Sequence, residues 1–467
     1  MKKFKSIGCL LLVLAMVLAL GACGGGDNGM RPAANTETLS APKYEVTDKA
    51  VQVVVDEDFT GKDPETNTWA RIAQSAKNHY GVELTPIVVP IDQQTTTILS
   101  LLASDDVPDI IETQKLPGWY PRMCSDGTFA AISDYVNFED LLWKDRVETM
   151  SDYMIGDKYY ALSLGAYTPV EIVYNKKLIK EAGLEDPVEL YKKGEWTWAK
   201  LQEYIEKIAG DKDSDNRNDI FGADHHPMSH CYLTSMGTGI TARDESGKFN
   251  LNPISSSGFE KLADFLNMMC RRQSIGYVPN VDGNDGTGTE LLAEDKLVFS
   301  FVGRWIVESD PELSAKKDKG ELALVMAPRH EDADDYYCYG VTSGYAVPSR
   351  GNVVGAIATL TATRLDDFPS AENLAKTKQK YIDAGWDENS AHILTYDIAA
   401  HEGSYQKVKL VSLGIDIFNT TLQTTVNDLL YDPLYKGSTC QTVRSSYLSK
   451  LQSAVDNANK QFETEAK

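Results

Sequence analysis

The sequence has little of what proteins use to hold transition metals, to form redox centres or to bind nucleic acid. Of its 467 residues only seven are cysteines and seven are histidines, and 46 lysines and arginines face 68 aspartates and glutamates, for a net charge of −22. So acidic a chain repels nucleic acid and anionic lipid. No Cys-x-x-Cys occurs, which argues against a zinc ribbon and a redox dithiol. The cysteines after Cys23 are expected to be buried thiols; they are Cys124, Cys231, Cys270, Cys338 and Cys440.

The motifs of common catalytic sites are missing as well. There is no Gly-x-Ser-x-Gly, no His-Glu-x-x-His and no phosphate-binding glycine loop. The stretch from Gly283 to Gly288 holds no lysine and is interpreted as a surface connection. A surface glycosidase with paired carboxylates is an alternative, because in so acidic a chain a pair of acids neither supports nor excludes one.

The first residues indicate export. Three lysines within the first five residues precede an apolar run from Ile7 to Leu20, which is as long as the hydrophobic region of a signal peptide and short for a membrane-spanning helix. The run ends in Leu-Gly-Ala-Cys, which resembles the bacterial lipobox and predicts a signal peptide over residues 1–22 and a lipid on Cys23. A signal peptide without lipid, or a retained anchor, is the alternative. Residues 23–43 are poor in bulky apolar side chains and are expected to form a flexible tether.

The chain that follows is too long for one core, which predicts two domains. Its first part alternates strands and amphipathic helices, as βαβ units with a mainly parallel sheet do. Strands are predicted at Ala50–Val55, Val82–Val89 and Pro108–Ile111, and helices over 69–80 and 95–103.

The second part has longer helices. A strand at Glu171–Tyr174 leads to a helix over 176–182, which Gly183 ends as a left-handed cap does. Thr197 is placed to cap the next helix. Further helices are predicted over 258–271, 372–384 and 443–462. The predicted fold class is therefore α/β, in two lobes.

Four stretches, taken in order, resemble motifs of one protein family. They are LLASDDVPDI from Leu101, VYNKKL from Val173 with EAGL and WTW after it, LVFSFVGRW from Leu297, and MAP from Met326 with YAVP from Tyr345. The chain resembles the extracellular solute-binding proteins of ABC importers, and among them the carbohydrate-binding, maltose-binding-protein-like group. One departure is Asp105-Asp106, where a glycine is usual in the family.

The resemblance implies a two-lobed periplasmic-binding-protein-like fold with a ligand cleft between the lobes. It places residues 44–166 and 343–393 in the N-terminal lobe, and 171–338 and 399–467 in the C-terminal lobe. The lobes are expected to close on a mono- or oligosaccharide, and the closed form to deliver it to the transmembrane subunits of an ABC permease. The protein is then a monomer without enzymatic activity, lipid-anchored on the extracellular face of the cell membrane. The same fold binding a polyamine or a peptide is the alternative.

A sugar site needs an aromatic plate for the C–H face of the ring and fixed polar groups for its hydroxyls. Trp305 follows an apolar strand and matches the family's sugar-stacking tryptophan; a core position that closes the strand is the alternative. Arg304 is a candidate donor to hydroxyls, or else a solvated or salt-bridged arginine.

Other candidates follow strand ends or match cleft segments of the family. Glu112, Gln114, Trp119 and Tyr120 follow the strand that ends at Ile111. The remaining candidates are Asp58, Phe59, Tyr167, His226, Tyr232 and Tyr345. Trp196 and Trp198 open a helix, and packing is the preferred role for both.

An acidic loop predicts a structural calcium ion. Asp211, Asp213, Asp215 and Asp219 occupy positions 1, 3, 5 and 9 of an EF-hand-like loop, and the carbonyl of Arg217 occupies position 7. Asn216 replaces the usual glycine and Gly222 the usual glutamate, so a solvated acidic turn is the alternative.

Overall fold

The structure is a computed structural model. It describes residues 31–164, 171–215, 218–224, 230–237, 239–244, 248–251, 257–271, 288–301, 303–339, 344–398, 402–411, 429, 432–433 and 436–463. The predictions for Cys23, Tyr167, Arg217 and His226 lie outside these residues.

Strands are numbered β1 to β14 in chain order. They are Ala50–Val55, Glu83–Val88, Ile111–Glu112, Met154–Ile155, Lys158–Tyr159, Glu171–Asn175, Phe221–Ala223, Ala242–Arg243, Phe249–Asn250, Leu297–Ser300, Leu322–Met326, Tyr336–Tyr339, Tyr345–Ala346 and Val408–Val411.

Helices are numbered α1 to α16 in the same way. They are Thr68–Tyr80, Gln94–Ala103, Arg122–Ser125, Val147–Met150, Lys176–Glu181, Pro187–Lys192, Trp198–Ile208, His230–Thr234, Ser257–Arg271, Thr289–Ala293, Arg304–Ser309, Pro311–Asp318, Val353–Asp366, Ala371–Asp383, Glu388–His392 and Cys440–Glu463.

The first lobe is built on β1 and β2, which pair in parallel as the alternation of strand and helix predicts. Helix α1 connects them. Asn67 caps its start by accepting a hydrogen bond from the Ala70 N–H, and Gly81 ends it in the left-handed region at φ 68°. Its buried face, which includes Trp69 and Ile72, packs in the same core as β1 and α13. The predicted strands and helix of this region are confirmed.

Strands β3 and β13 form the edge of the first lobe that continues towards the second. They pair antiparallel, with Glu112 opposite Tyr345. Ile110 also bridges to Val53 of β1, and Leu162 bridges to Tyr345. Residues far apart in sequence therefore meet at one edge of this lobe.

The second lobe is built on a mixed sheet of order β11-β6-β10-β7. Strand β6 runs antiparallel to both β10 and β11, whereas β10 and β7 are parallel. The start of β6 at Glu171 therefore lies opposite the end of β11 at Met326 and near the end of β10 at Ser300. This differs from the mainly parallel sheet that the first part of the chain suggested.

After α13 the chain leaves the core of the first lobe. Helix α13 packs on α1 in that lobe. Tyr381, Trp386 and Leu394 pack in one cluster with strand residues of the second sheet. The lobe boundary at residue 393 stays a prediction.

The tryptophans that open helix α7 have the packing role that was preferred for them. Trp196 is fully buried and donates to the Met326 carbonyl at 3.0 Å. Trp198 is 3% exposed and donates to the Ser235 hydroxyl at 2.9 Å. The Thr197 side chain accepts from the Lys200 N–H, as a helix cap does.

Two further predictions concern cysteines and membrane segments. Cys124, Cys338 and Cys440 are buried, as expected. In the described part of the chain no helix combines the length and apolarity needed to cross a membrane.

Candidate functional site

Two chain connections join an edge of the first lobe to the second lobe. The first runs from Leu164 to Glu171 and the second from Tyr339 to Gly344. Fully extended chain of those lengths spans at most roughly 25 Å and roughly 18 Å. The β3–β13 edge of the first lobe and the Glu171 edge of the second sheet are therefore within reach of each other. We use the name interlobe edge for two sets of residues. They are Asp58, Glu112, Gln114, Lys115 and Tyr345 in the first lobe, and Glu171, Arg304 and Trp305 in the second.

Trp305 lies at the start of α11, just after the end of β10. The backbone of Gly303 has φ 74°, and a Cβ placed there would come within 2.4 Å of the Trp305 ring. Only glycine fits this turn, both for its backbone and for the ring folded over it. The Trp305 side chain is 36% exposed, whereas the other six tryptophans are at most 9% exposed. Trp305 is therefore the tryptophan that offers a ring to solvent.

Arg304 is held from three sides. Its Nη1 lies 3.2 Å from Oε2 of Glu308, one helical turn further on. Its Nε lies 3.9 Å from Oε1 of Glu171, and its guanidinium lies 5.3 Å from the centre of the Tyr381 ring. Glu308 in turn accepts a hydrogen bond from the Trp386 indole at 2.9 Å. The salt-bridged arginine that was the alternative in the sequence is thus present, yet its side chain keeps 25% exposure beside Trp305.

Glu171 was not among the candidates from the sequence. It opens the apolar strand β6, and its side chain is fully buried. Burial raises the pKa of its carboxyl to about 7, although Arg304 opposes that shift. The signal that could have found it is a single acid at the head of an apolar strand directly after a lobe connection.

The first lobe contributes polar groups at its side of the interlobe edge. Glu112 pairs with Lys115 at 3.2 Å, and Lys115 also donates to the Val54 carbonyl at 3.3 Å. Gln114, between them, is exposed. The exposed Asp58 accepts from the Thr60 N–H at 2.8 Å, and this bond lowers the pKa of its carboxyl. These three candidates are placed where polar contacts with a solute are possible.

The aromatic candidates of the first lobe form a stack rather than an open plate. Phe59 is 4% exposed and stacks on Trp69 with 6.3 Å between ring centroids. Trp69 meets the half-buried Tyr345 edge-on at 6.0 Å. Of this group Tyr345 has the most accessible ring, and Phe59 serves packing.

Three candidates lie in the core. Trp119 and Tyr120 are 2% and 1% exposed and pack against each other and against Tyr153. Tyr232 is fully buried against Phe301, with 5.0 Å between ring centroids. Their burial favours a packing role for the three rings, and their contact with a ligand stays a prediction.

The acidic loop brings three of its carboxylates together. Oxygen atoms of Asp211, Asp213 and Asp215 lie within 4.8 Å of one another, and all three residues are exposed. Asp219 lies at the same turn, since its carboxylate accepts from the Lys212 N–H at 2.6 Å. Hard oxygen ligands at this spacing suit Ca²⁺, so the described residues fit the predicted ion.

A cavity of about 690 Å³ opens between α1 and α14, beside the segment that leads from α13 to α14. Its walls carry charged, amide and hydroxyl side chains, among them Arg71, Asp367 and Lys380. Arg71 and Asp367 pair at 2.6 Å and tie the connection to α1. The lining residues include no aromatic side chain on which a sugar could stack. In this respect the cavity differs from the interlobe edge, where the Trp305 ring is exposed.

Comparisons with known proteins agree on the architecture. The structure is similar to the GacH receptor of Streptomyces glaucescens, solved unliganded and with acarbose, at 15% identity and TM-score 0.56 over 89% of this chain and 98% of that one. It is similar to a cyclo/maltodextrin-binding protein complexed with maltotetraose, at 14% identity and TM-score 0.57 over 91% and 98%. It is also similar to UgpB from Mycobacterium tuberculosis in complex with glycerophosphocholine, at 13% identity and TM-score 0.55 over 87% and 99%.

These likenesses establish the two-lobed fold. No curated protein matches the chain. The model of one family, described as bacterial extracellular solute-binding protein, matches residues 70–354, which is more than half of the chain. The chain therefore belongs to the family of bacterial extracellular solute-binding proteins.

Proposed function

We propose that this protein captures a carbohydrate at the interlobe edge and delivers it to an ABC permease. The observation that carries the proposal is the exposed ring of Trp305, in a chain whose other tryptophans are buried. Large aromatic side chains are normally buried because each removes a large apolar area from water. An exposed ring at the end of a sheet strand is a plate for an apolar face, such as the C–H face of a pyranose.

The polar groups of the interlobe edge suit a ligand rich in hydroxyls. Arg304 supplies N–H donors, while Asp58 and Glu112 supply acceptors and Gln114 supplies both. A site that pairs each hydroxyl discriminates strongly against analogues that lack one, since a polar group left unpaired on binding costs free energy. Two of the similar structures named above hold acarbose and maltotetraose, which supports this class of ligand.

A second class of solute is favoured by the charges. The polar side chains of the first-lobe edge and those around Arg304 together carry more acids than bases. The acids are Asp58, Glu112 and Glu308, and the bases are Lys115 and Arg304. An amine or a zwitterion would gain from that excess. The similar UgpB structure, which holds glycerophosphocholine, shows that the fold accepts a solute of this kind.

Delivery and anchoring follow from the proposal and from the sequence. Solute that bridges both lobes favours a closed form by its differential affinity for that form, and the permease would recognise the closed lobes. The chain would act as a monomer without turning over its ligand. Cys23 would carry a lipid that holds the protein at the extracellular face of the membrane; the intact mass of the protein extracted from membranes tests this, and an unmodified thiol at Cys23 would refute it.

Binding is tested by thermal melting of the chain from Cys23 onwards against maltose, maltotetraose, acarbose and glycerophosphocholine. A sugar at about a hundred times its Kd stabilises the fold by about 2.7 kcal/mol. Trp305→Ala is expected to weaken binding about 30-fold, because a central aromatic contact contributes about 2 kcal/mol. Calorimetry at constant salt gives the affinities.

Leu39→Ala is the matched control, since Leu39 is a large apolar side chain that is 40% exposed on the segment before β1. It should leave both the melting temperature and the affinity unchanged. Stabilisation by glycerophosphocholine without stabilisation by any sugar would keep the fold and reject the carbohydrate. Equal sugar affinity in Trp305→Ala and the unaltered chain would reject the plate.

The calcium ion remains a prediction, and melting after removal of divalent ions tests it. Addition of 1 mM Ca²⁺, on the order of the concentration that extracellular sites bind, should raise the melting temperature. Asp213→Asn should remove most of that gain, because it takes one of the converging charges away. Asp105→Asn, in an exposed turn elsewhere, is the control. A gain that survives in Asp213→Asn would place the ion at another site.

A further inference from the structure

The buried carboxylate of Glu171 lacks a hydrogen-bond partner of normal geometry. Neither of its oxygens makes a hydrogen bond with a residue that the structure describes. The backbone N–H groups of Glu171 and Arg304 are near enough to lower its pKa, but they do not reach hydrogen-bonding geometry. Buried carboxylate oxygens that make no hydrogen bond are rare in folded proteins, so this group calls for an explanation.

Arg304 is the cation that faces Glu171. The 3.9 Å from its Nε to Oε1 of Glu171 is an ion-pair distance but exceeds a hydrogen bond. The guanidinium is shared, because Glu308 takes Nη1 at 3.2 Å. Among the residues that the structure describes, the charged and titratable groups that act on Glu171 are Arg304 and Glu308 of α11 and Tyr381 of α14.

The position of Arg304 matters because Trp305 is the next residue. Both side chains keep part of their surface in solvent, at 25% and 36% exposure. A shift of the guanidinium by about 1 Å towards β6 would convert the ion pair to a hydrogen bond and redirect the remaining N–H donors. A ligand stacked on the Trp305 ring would meet those donors at the ring's edge.

We propose that Glu171 is a positioning residue for Arg304, which draws the guanidinium from Glu308 towards the start of β6 and so sets the donors that a ligand on Trp305 meets. The inference rests on the proposed function, since it assigns a role within the same site. It gives Glu171 an action through Arg304 rather than a contact with ligand.

Affinity should then depend on pH near neutrality. The pKa of Glu171 is about 7, so its charge appears between pH 6 and pH 8. The ionised form holds Arg304 in place, and maltotetraose should bind about fivefold more tightly at pH 8 than at pH 6, which is the effect of one hydrogen bond of ordinary strength. By linkage, binding at pH 7 should release part of a proton.

Stability should change with the opposite sign. The folded pKa of Glu171 lies above its ordinary value of 4.5, so this group stabilises the fold less as pH rises through about 4.5 to 7. Glu171→Gln removes this loss of stability. The melting temperature of the variant, relative to that of the unaltered chain, should therefore increase as pH rises. Burial also raises the pKa values of Asp224 and Asp397, to about 7 and about 6. Both groups titrate in Glu171→Gln as in the unaltered chain, so their effect on stability cancels in the comparison.

The deciding experiment is calorimetry with maltotetraose at pH 6, 7 and 8, in buffers of different ionisation enthalpy. Glu171→Gln should abolish both the fivefold change and the proton release. Asp224→Asn is the matched control, because Asp224 is an equally buried carboxylate held by Ser300 and by the Phe301 N–H at 2.7 Å instead of by Arg304. It should alter the pH dependence of stability and leave that of affinity intact. An unchanged affinity profile in Glu171→Gln would overturn the inference.

A ligand-free cycle separates this inference from the sugar assignment. Glu171→Gln, Arg304→Gln and the double variant are melted at pH 5 and pH 8, and the two positions should couple at pH 8 only. Coupling in a chain that binds none of the sugars would support the positioning of Arg304 and reject the carbohydrate. Sugar binding without coupling would support the carbohydrate and reject the positioning of Arg304 by Glu171.

Discussion

The direction of one strand determines what the site contains. Strand β6 enters the second sheet from the first lobe connection and runs antiparallel to β10 and β11. Its first residue, Glu171, therefore lies opposite the end of β11 and near the end of β10, which leads to Arg304 and Trp305. With a parallel β6 the acid would lie at the far edge of the sheet, and Arg304 would lack its second carboxylate. The charges at the interlobe edge thus follow from chain topology.

The distribution of aromatic side chains separates structure from function. Trp196, Trp198 and Trp386 are buried, and each indole donates a hydrogen bond, to the Met326 carbonyl, the Ser235 hydroxyl and the Glu308 carboxylate. Such rings hold helices against the second sheet and contribute most of their area to the core. Trp305 lies beside the same network but is folded over Gly303 with its face in solvent. The buried hydrogen-bonded tryptophans support the proposed site, and the exposed ring of Trp305 lies at its surface.

Much of the fold could be predicted from local pattern, because helix caps and apolar periodicity are local. Thr197 and Gly183 have the capping and turn geometry that their positions indicated. Strand direction depends on non-local pairing, which explains why the mixed order of the second sheet was not predicted. The burial of Trp119 and Tyr120 could not be predicted either, since a loop tryptophan serves a core or a ligand with the same residue type. Trp305 could be selected from the sequence because a motif and a strand end coincide there, and its exposure agrees with that choice.

The central claim is that solute at the interlobe edge brings the two lobes together. Small-angle scattering of the chain from Cys23 onwards, with and without the best-binding sugar, measures this most directly. Saturating sugar should reduce the radius of gyration, and Trp305→Ala at the same sugar concentration should keep the ligand-free value. An unchanged radius of gyration in a chain that calorimetry shows to be saturated would contradict the account, because the sugar would then bind without lobe closure.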